Sequence, residues 1–515
     1  MHPPADRAGR ANRYDEQAAG LYEAREADWR NGAVTYQVLV DRYAPSARLQ
    51  AKRHLYPEPK RLRSWDELPR QGNYLEQARL WSHEIDFWGG DLQSLRENLH
   101  HIVDLGVDAL YLNPICSAYT NHKYDALDYK TVSAEYGSLE DVKALADELH
   151  RKGMKLVLDG VFNHMGRNAP CFQDAHTNPE SPWRDWFIFD DSLPGGARSW
   201  MQAENLPELN LEHPDVQAAL WGDADSVVRS YLREGVDGWR LDVAHDIGMD
   251  LLQALTQAAH EEKPGSLVVG ELCNWPKEWF PAVDGVMNFT LREIILRTLN
   301  GRLCAAAALR MVQRMVQECG TEPLLKSWLM LDNHDTIRLA NALPEAPARR
   351  MAQLLQFTLP CAPNLYYGSE LGMGGADDPE MRAPMRWDLV RDDNPTLQWT
   401  RRLMALRRSQ RALRVGDWRA AECDRLLAFE RHTDRVGDTV LVLANPSSRP
   451  IDEDVLFPNS KLMNSSPIRD LLEPGRVHKP FAAGFLEVSL QPWEVRVLQP
   501  DMRPLQGYTT YKRVR

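Results

Sequence analysis

Four apolar stretches of this chain end in side chains able to carry charge or move protons. In GWRLDVAHD, Arg240 and Asp242 stand two apart, so on a strand both project to one face. An arginine there keeps the aspartate ionised through opposite-charge proximity, the state a carboxylate nucleophile needs. Glu271 closes the apolar run SLVVG, a setting that favours the protonated form and hence a competent proton donor. A nucleophilic carboxylate beside a proton-donating one is the equipment of glycosidic bond cleavage, and retaining enzymes hold the two about 5 to 5.5 Å apart. Two further runs, KLVLDGVFNH and SWLMLDNHD, contribute Asp159, Asn163 and His164, and His334 and Asp335. The histidines can donate to sugar hydroxyls, while Asp335 can accept such bonds and stabilise positive charge at a reacting carbon.

Each of these residues also has a structural reading. Arg240 and Asp242 make an ordinary ion pair at a strand end, Glu271 alone reads as a carboxylate in solvent, and a lone strand-end histidine is more often a satisfied structural residue than a ligand. The two histidines with the neighbouring acids could bind a metal, but no His-x-x-x-His or similar spacing supports this. The aromatic cluster Trp183, Trp186 and Phe187 reads as core packing of its own segment before it reads as a sugar platform.

The elements that must position these residues alternate along the chain. Eight short β-branched or apolar runs begin near Val34, Val107, Lys155, Val236, Ser266, Asp284, Ser327 and Pro363, and amphipathic stretches such as 139–153, closed by Gly153, lie between them. This is the pattern of an α/β protein built as a (β/α)8 barrel, whose chemistry sits at the C-terminal ends of its strands. Two connections exceed ordinary loop length. One, 41–89, is rich in Arg and Pro; the other, 165–210, follows the third strand as a small inserted domain. The barrel is predicted over 34–414, after an N-terminal extension of 1–33. Short strands broken by turns predict a C-terminal antiparallel β domain over 415–499, and 500–515 form a basic tail.

Composition narrows the partners. A net charge of −12 excludes the dominant basic face that nucleic acid or an anionic membrane requires, and no apolar run reaches transmembrane length. The opening residues contain no apolar core of a secretory signal, and the seven cysteines are scattered without metal-ligand spacing. The expectation is a cytoplasmic protein with reduced thiols, no cofactor and no bound metal.

Taken together, DGVFNH (159–164), GWRLDVAHD (238–246), GEL (270–272) and DNHD (332–335) resemble, in order and spacing, the four signature segments of the α-amylase family, glycoside hydrolase family 13. The resemblance covers roughly residues 34–498. It implies Asp242 as nucleophile, Glu271 as general acid/base and Asp335 as a third, transition-state-stabilising carboxylate, with Arg240, His164 and His334 on the glucose at the cleaved bond. NHKYDALDY (121–129), DGVMNF (284–289) and ADDPEMRAPMRW (376–387) are similar to the cyclomaltodextrinase, neopullulanase and maltogenic amylase group. That similarity implies that His122 binds and Tyr124 stacks on the sugar before the cleavage point, and that Asp378 and Arg382 hold the next glucose toward the non-reducing end. The implied activity is hydrolysis of α-1,4-glucosidic bonds in maltooligosaccharides or cyclodextrins, with transglycosylation or α-1,6 activity as the alternative and a non-catalytic binding homologue further off.

The chain also departs from that group. Members usually carry a β-sandwich module ahead of the barrel that helps form a dimer, whereas about 33 residues precede the first strand here. A monomer, or a dimer built without such a module, is expected. The acid-rich calcium loop after the first strand is replaced by the Arg-rich 41–89 segment, and His245-Asp246 stand where the group often has Asn-Glu.

Overall fold

A computed structural model describes residues 13–503 and, beyond them, 508, 510, 511 and 514. Residues 1–12 of the opening stretch read for a signal and half of the basic tail lie outside the described residues. Eight parallel strands close into a barrel: β1 (Thr35–Val38), β2 (Ala109–Leu112), β3 (Lys155–Gly160), β4 (Gly238–Leu241), β5 (Leu267–Leu272), β6 (Gly285–Asn288), β7 (Trp328–Met330) and β8 (Ala362–Tyr366). Neighbours run β1-β8-β7-β6-β5-β4-β3-β2 around the ring, so every strand pairs with its neighbours in sequence and the last with the first. All eight runs read from the sequence are barrel strands.

Side-chain alternation divides the barrel into two apolar layers. Tyr111, Val157, Val269, Met287 and Trp328 pack inside it, while Leu158, Trp239, Leu241 and Val268 face the surrounding helices. One of those helices, Leu139–Arg151, starts at a Ser138–Asp141 capping box and buries Val142, Leu145, Ala146 and Leu149.

Two strands stop earlier than their apolar runs. β4 ends at Leu241 because Val243 turns into the left-handed region at φ 38°. β7 ends at Met330 because the polar side chains that follow take over the backbone's hydrogen bonds. Asn333 Oδ1 accepts from Asp335 N at 3.0 Å, and Asp332 Oδ2 accepts from Leu339 N at 2.8 Å.

The first long connection is a loop with a closed neck. Asp41, fully buried, accepts the backbone N–H groups of Trp88 and Gly89, the latter at 2.8 Å, so the two ends of the segment meet. Between them Tyr56, Leu80, Ile85 and Phe87 form a small core of their own. The second connection folds back on β3, where His164 bridges Glu208, and it packs Phe172, Phe187 and Phe189 together. Arg79 of the first insertion pairs with Glu204 of the second at 2.5 Å.

After the barrel, β9 (Asp417–Ala420), β10 (Leu427–His432), β11 (Val440–Ala444), β12 (Ile451–Leu456), β13 (Ile468–Asp470), β14 (Phe485–Leu490) and β15 (Val495–Pro500) pair antiparallel. They form one sheet in the order β9-β10-β11-β15-β13 and a second of β12 with β14. The helix Arg13–Ala27 in the N-terminal extension is tied to this sheet: Tyr22 Oη donates to Asp417 Oδ2 at 2.6 Å, and Arg25 Nη1 to Asp417 Oδ1 at 3.0 Å.

Candidate active site

Strand register assembles the centre. Arg240 on β4 lies opposite Asp159 on β3 and Val269 on β5, and Glu271 stands two residues past Val269, so all three polar side chains face the barrel's interior. Arg240 is fully buried. Its Nη1 donates to Asp159 Oδ1 at 2.7 Å and to Asp242 Oδ1 at 3.0 Å, and its Nη2 lies 2.9 Å from Glu271 Oε2, a charge contact without hydrogen-bond alignment. Val243, in its left-handed conformation, donates its N–H to the same Glu271 oxygen at 3.1 Å. A β-branched residue rarely adopts that backbone, and here the strain places a donor on a carboxylate.

One guanidinium therefore serves three carboxylates, which corrects the simple ion-pair expectation for Asp242. Burial raises its pKa, and despite Arg240 the negative charges of Glu271, Asp159 and Asp335 hold it well above the usual carboxylate range. Arg240 does not by itself keep Asp242 ionised, because its charge is divided. Asp335 behaves in the opposite way. Although burial within the cavity walls opposes its charge, His334, Arg382 and Arg240 hold it well below the usual range. His334 Nε2 lies 2.9 Å from Asp335 Oδ2, and Arg382 Nη2 donates to Asp335 Oδ1 at 3.0 Å.

The histidines are set by their partners. Gln37 Nε2 lies 2.9 Å from His334 Nδ1, which assigns the proton to Nε2, toward Tyr124 Oη at 2.5 Å and Asp335. Tyr124 Oη donates to Asp159 Oδ2 at 2.9 Å, and its ring stacks on His334 at 5.4 Å. His122 Nδ1 accepts from the Tyr124 N–H, so its Nε2–H faces Glu84 Oε1 at 3.0 Å. His164 differs from both. It is buried, neither ring nitrogen has a hydrogen-bond partner of good geometry, and burial lowers its pKa to about 4, so it meets the cavity as a neutral imidazole. Asp378, 3.4 Å from Arg382 Nη1, accepts from His83 Nε2 at 3.2 Å. Burial opposes its charge, but the His83 hydrogen bond and Arg382 pull it down to about 2.

A cavity of about 770 Å³ opens over these groups. It is lined by His122, Tyr124, His164, Asp242, Glu271, Asp335, Asp378 and Arg382, with Arg240 beneath and His334 behind. Of the ten binding and catalytic residues expected from the sequence, eight thus line the cavity, and the other two, His334 and Arg240, bind residues that do. A second hollow, about 630 Å³, lies in the first insertion near Arg61, Arg70 and Trp88 and contains none of them. Trp183, Trp186 and Phe187 do not line the cavity. Glu84 of the first insertion and Trp200, Met201 and Leu206 of the second do, as do His245, Asp246, Cys273 and Asn274. Sequence reading did not single out Glu84, His83 or Trp200. The signal available was the polar pair His83-Glu84 between Trp81 and Ile85, and a tryptophan in a segment already expected to overhang the barrel. Among the described residues, no cluster of three or more His, Cys, Asp or Glu side chains takes a metal-holding geometry.

Carboxylates gathered at the C-terminal mouth of a (β/α)8 barrel, under walls made by βα connections, define a barrel enzyme. The chain belongs to the α-amylase family: the family model described as the α-amylase catalytic domain matches residues 37–405. It is 32% identical over 426 residues to neopullulanase 2 of Thermoactinomyces vulgaris, covering 78% of this chain and 68% of that one. It is 33% identical over 376 residues to a cyclomaltodextrinase of a Bacillus species, covering 70% and 66%. An intracellular maltogenic amylase of Bacillus subtilis is 31% identical, covering 77% and 64%. The chain thus spans about two thirds of the length of these curated relatives. Among solved structures, the cyclic α-maltosyl-(1→6)-maltose hydrolase of Arthrobacter globiformis superposes with a TM-score of 0.77 at 29% identity, covering 92% of this chain and 100% of that one. Among the described residues, no helix is long and apolar enough to cross a membrane.

Proposed function

We propose that this enzyme is a retaining glycoside hydrolase that cleaves α-1,4-glucosidic bonds in short maltooligosaccharides and cyclodextrins. The observation that carries the reading is the single buried Arg240 contacting both Asp242 and Glu271 at the floor of the cavity. Asp242 attacks the anomeric carbon as Glu271 gives its proton to the departing glycosidic oxygen, leaving a glycosyl ester on Asp242. Glu271 then takes a proton from water, whose oxygen displaces Asp242 and restores the starting configuration. Burial and the neighbouring carboxylates raise the pKa of Asp242 in the protein alone. Cleavage requires the proton on Glu271, beside the leaving oxygen, and the charge on Asp242. Asp335, held ionised, faces the positive charge that develops in the transition state. His164 offers free nitrogens to a sugar hydroxyl, and His122, Tyr124, Asp378 and Arg382 line the remaining contacts.

The size reading rests on the two insertions that wall the cavity, which favour maltotriose to maltohexaose or cyclodextrins over long starch chains. A second reading, α-1,6 activity, is favoured by the likeness to neopullulanase 2 and to the cyclic α-maltosyl-(1→6)-maltose hydrolase. Products from maltotriose, β-cyclodextrin, pullulan and isomaltose separate the two. The unpaired state of all seven cysteines and the relative named as intracellular support a cytoplasmic site of action. Asp242→Asn and Glu271→Gln are each expected to lower turnover by at least about a thousandfold with the circular dichroism spectrum intact. Near-normal turnover in folded Asp242→Asn defeats the nucleophile assignment.

A further inference from the structure

We infer that Tyr74 and Trp81 form a sugar-stacking platform that extends the catalytic cavity by at least one glucose unit on the glycosyl side of the cleaved bond. The inference rests on the roles given above to Asp242 and Glu271. The two rings are cross-strand partners in a short hairpin, Tyr74 opposite Trp81 and Leu75 opposite Leu80. Alternation splits that hairpin into two faces. Leu80 is 2% exposed and packs into the small core of the insertion with Leu75 against it, whereas Tyr74 and Trp81 are each 42% exposed on the other face. Their centroids lie 5.7 Å apart at an interplanar angle of 71°. A paired, open aromatic face beside a cavity that carries carboxylates is suited to the apolar C–H faces of a glucose ring, and the edge-on Tyr74 brings a hydroxyl that can reach sugar oxygens.

The platform is continuous with the cavity wall. The Trp81 ring lies 6.2 Å from that of His83, tilted by 30°, and His83 bonds Asp378 on the cavity wall. Glu84, which also lines the cavity, accepts the backbone N–H of Trp81. Arg79, at φ 56° in the turn of the hairpin, is pinned to Glu204 of the second insertion, so the rings are carried on a braced loop.

The barrel's strand order gives the direction. The hairpin belongs to the connection after β1, and β1 stands four places from β5 either way around the ring, diametrically across from Glu271. Glu271 protonates the leaving group, so the departing half of the substrate lies on the β5 side with Cys273 and Asn274. The retained half lies toward β8 and β1, where it meets Arg382 and Asp378 and then Trp81. The occupant is therefore the non-reducing portion of an α-linked glucose chain.

The test compares kcat/KM on maltohexaose and on maltotriose for the wild type, Trp81→Ala, Trp81→Phe and Tyr74→Ala, with thermal melting to establish folding. Trp81→Ala is expected to lower the ratio of the hexaose value to the triose value by about three- to tenfold, through KM, and Trp81→Phe to restore most of it. Tyr74→Ala shifts the ratio in the same direction by less. An unchanged ratio in folded Trp81→Ala overturns the platform and leaves the hydrolase reading standing. A wild type that cleaves no α-glucan at all overturns both.

Discussion

Fully buried arginines sit at both ends of the barrel, and they are held in different ways. At the C-terminal mouth Arg240 is surrounded by carboxylates: Asp159, Asp242 and Glu271. At the opposite end Arg407 donates to backbone carbonyls, to Gly32 O before β1, to Phe357 O, and to Cys361 O just before β8. Arg431, on β10, donates to Thr358 O, Leu359 O and Gly416 O, joining the C-terminal sheet to the barrel. Burial lowers Arg407 to about 10, and burial with the neighbouring charge of Arg407 lowers Arg431 to about 9, whereas the carboxylates hold Arg240 well above its ordinary value despite burial. Carbonyl groups do not titrate, so Arg407 and Arg431 fasten segments together, and the thiol beside them, Cys361, is kept above its ordinary range by burial despite their charge. Carboxylates titrate, so Arg240 controls where protons sit. The same side chain serves joinery at one end and chemistry at the other.

The sharpest way to break this contrast is Arg240→Lys. An ammonium group cannot reach three carboxylates at once, so kcat/KM is expected to fall by about a hundred- to a thousandfold with little change in melting temperature. A loss below tenfold means that the shared guanidinium does not organise the pair. Arg407→Met is the counterpart. It strands buried carbonyls and should cost about 3 to 4 kcal/mol in urea unfolding, while kcat and KM of the folded enzyme stay at wild-type values. A specific fall in kcat there would show that the two ends are not separate in function.

The smallest effect sharpens the picture of the mouth through His164. Its pKa in the fold, about 4, lies below the ordinary 6.5, so the unfolded chain binds the proton first as pH falls. Its contribution to stability is complete above about pH 6.5 and is lost progressively toward pH 4, on the order of 3 kcal/mol. His164→Gln should therefore show a shallower decline in unfolding free energy between pH 7 and pH 4.5. Parallel profiles for the two proteins would remove His164 as a buried neutral group.

Much of this mouth was legible in the sequence because barrel chemistry occupies strand ends, and strand ends are marked by polar residues closing apolar runs. Arg240, Asp242 and Glu271 were found that way, and register on the barrel then brought Asp159 to Arg240. The raised pKa of Asp242 was not legible, since it depends on burial and on how many carboxylates share one arginine, a count that needs three strands in register. Glu84, His83 and Trp200 escaped notice because their segments carry no period of two or 3.6 to say which side chains point inward. The Trp183, Trp186 and Phe187 cluster, read as packing of its own segment before a sugar platform, does not line the cavity, whereas Trp200, thirteen residues past Phe187, does. The helix Arg13–Ala27 was passed over as an extension, because its hold on Asp417 joins residues nearly four hundred apart in the chain.

The closed neck of the first insertion bears on how an enzyme of this kind diversifies. Since Asp41 already gathers the backbone of Trp88 and Gly89, the segment between them begins and ends at one point of the scaffold. A piece of sequence with such a footing can be shortened, lengthened or exchanged with little penalty in chain closure. The rim of the cavity, to which this segment contributes Glu84, can thus be rewritten as a cassette, while the strands that bear Asp242 and Glu271 remain as they are.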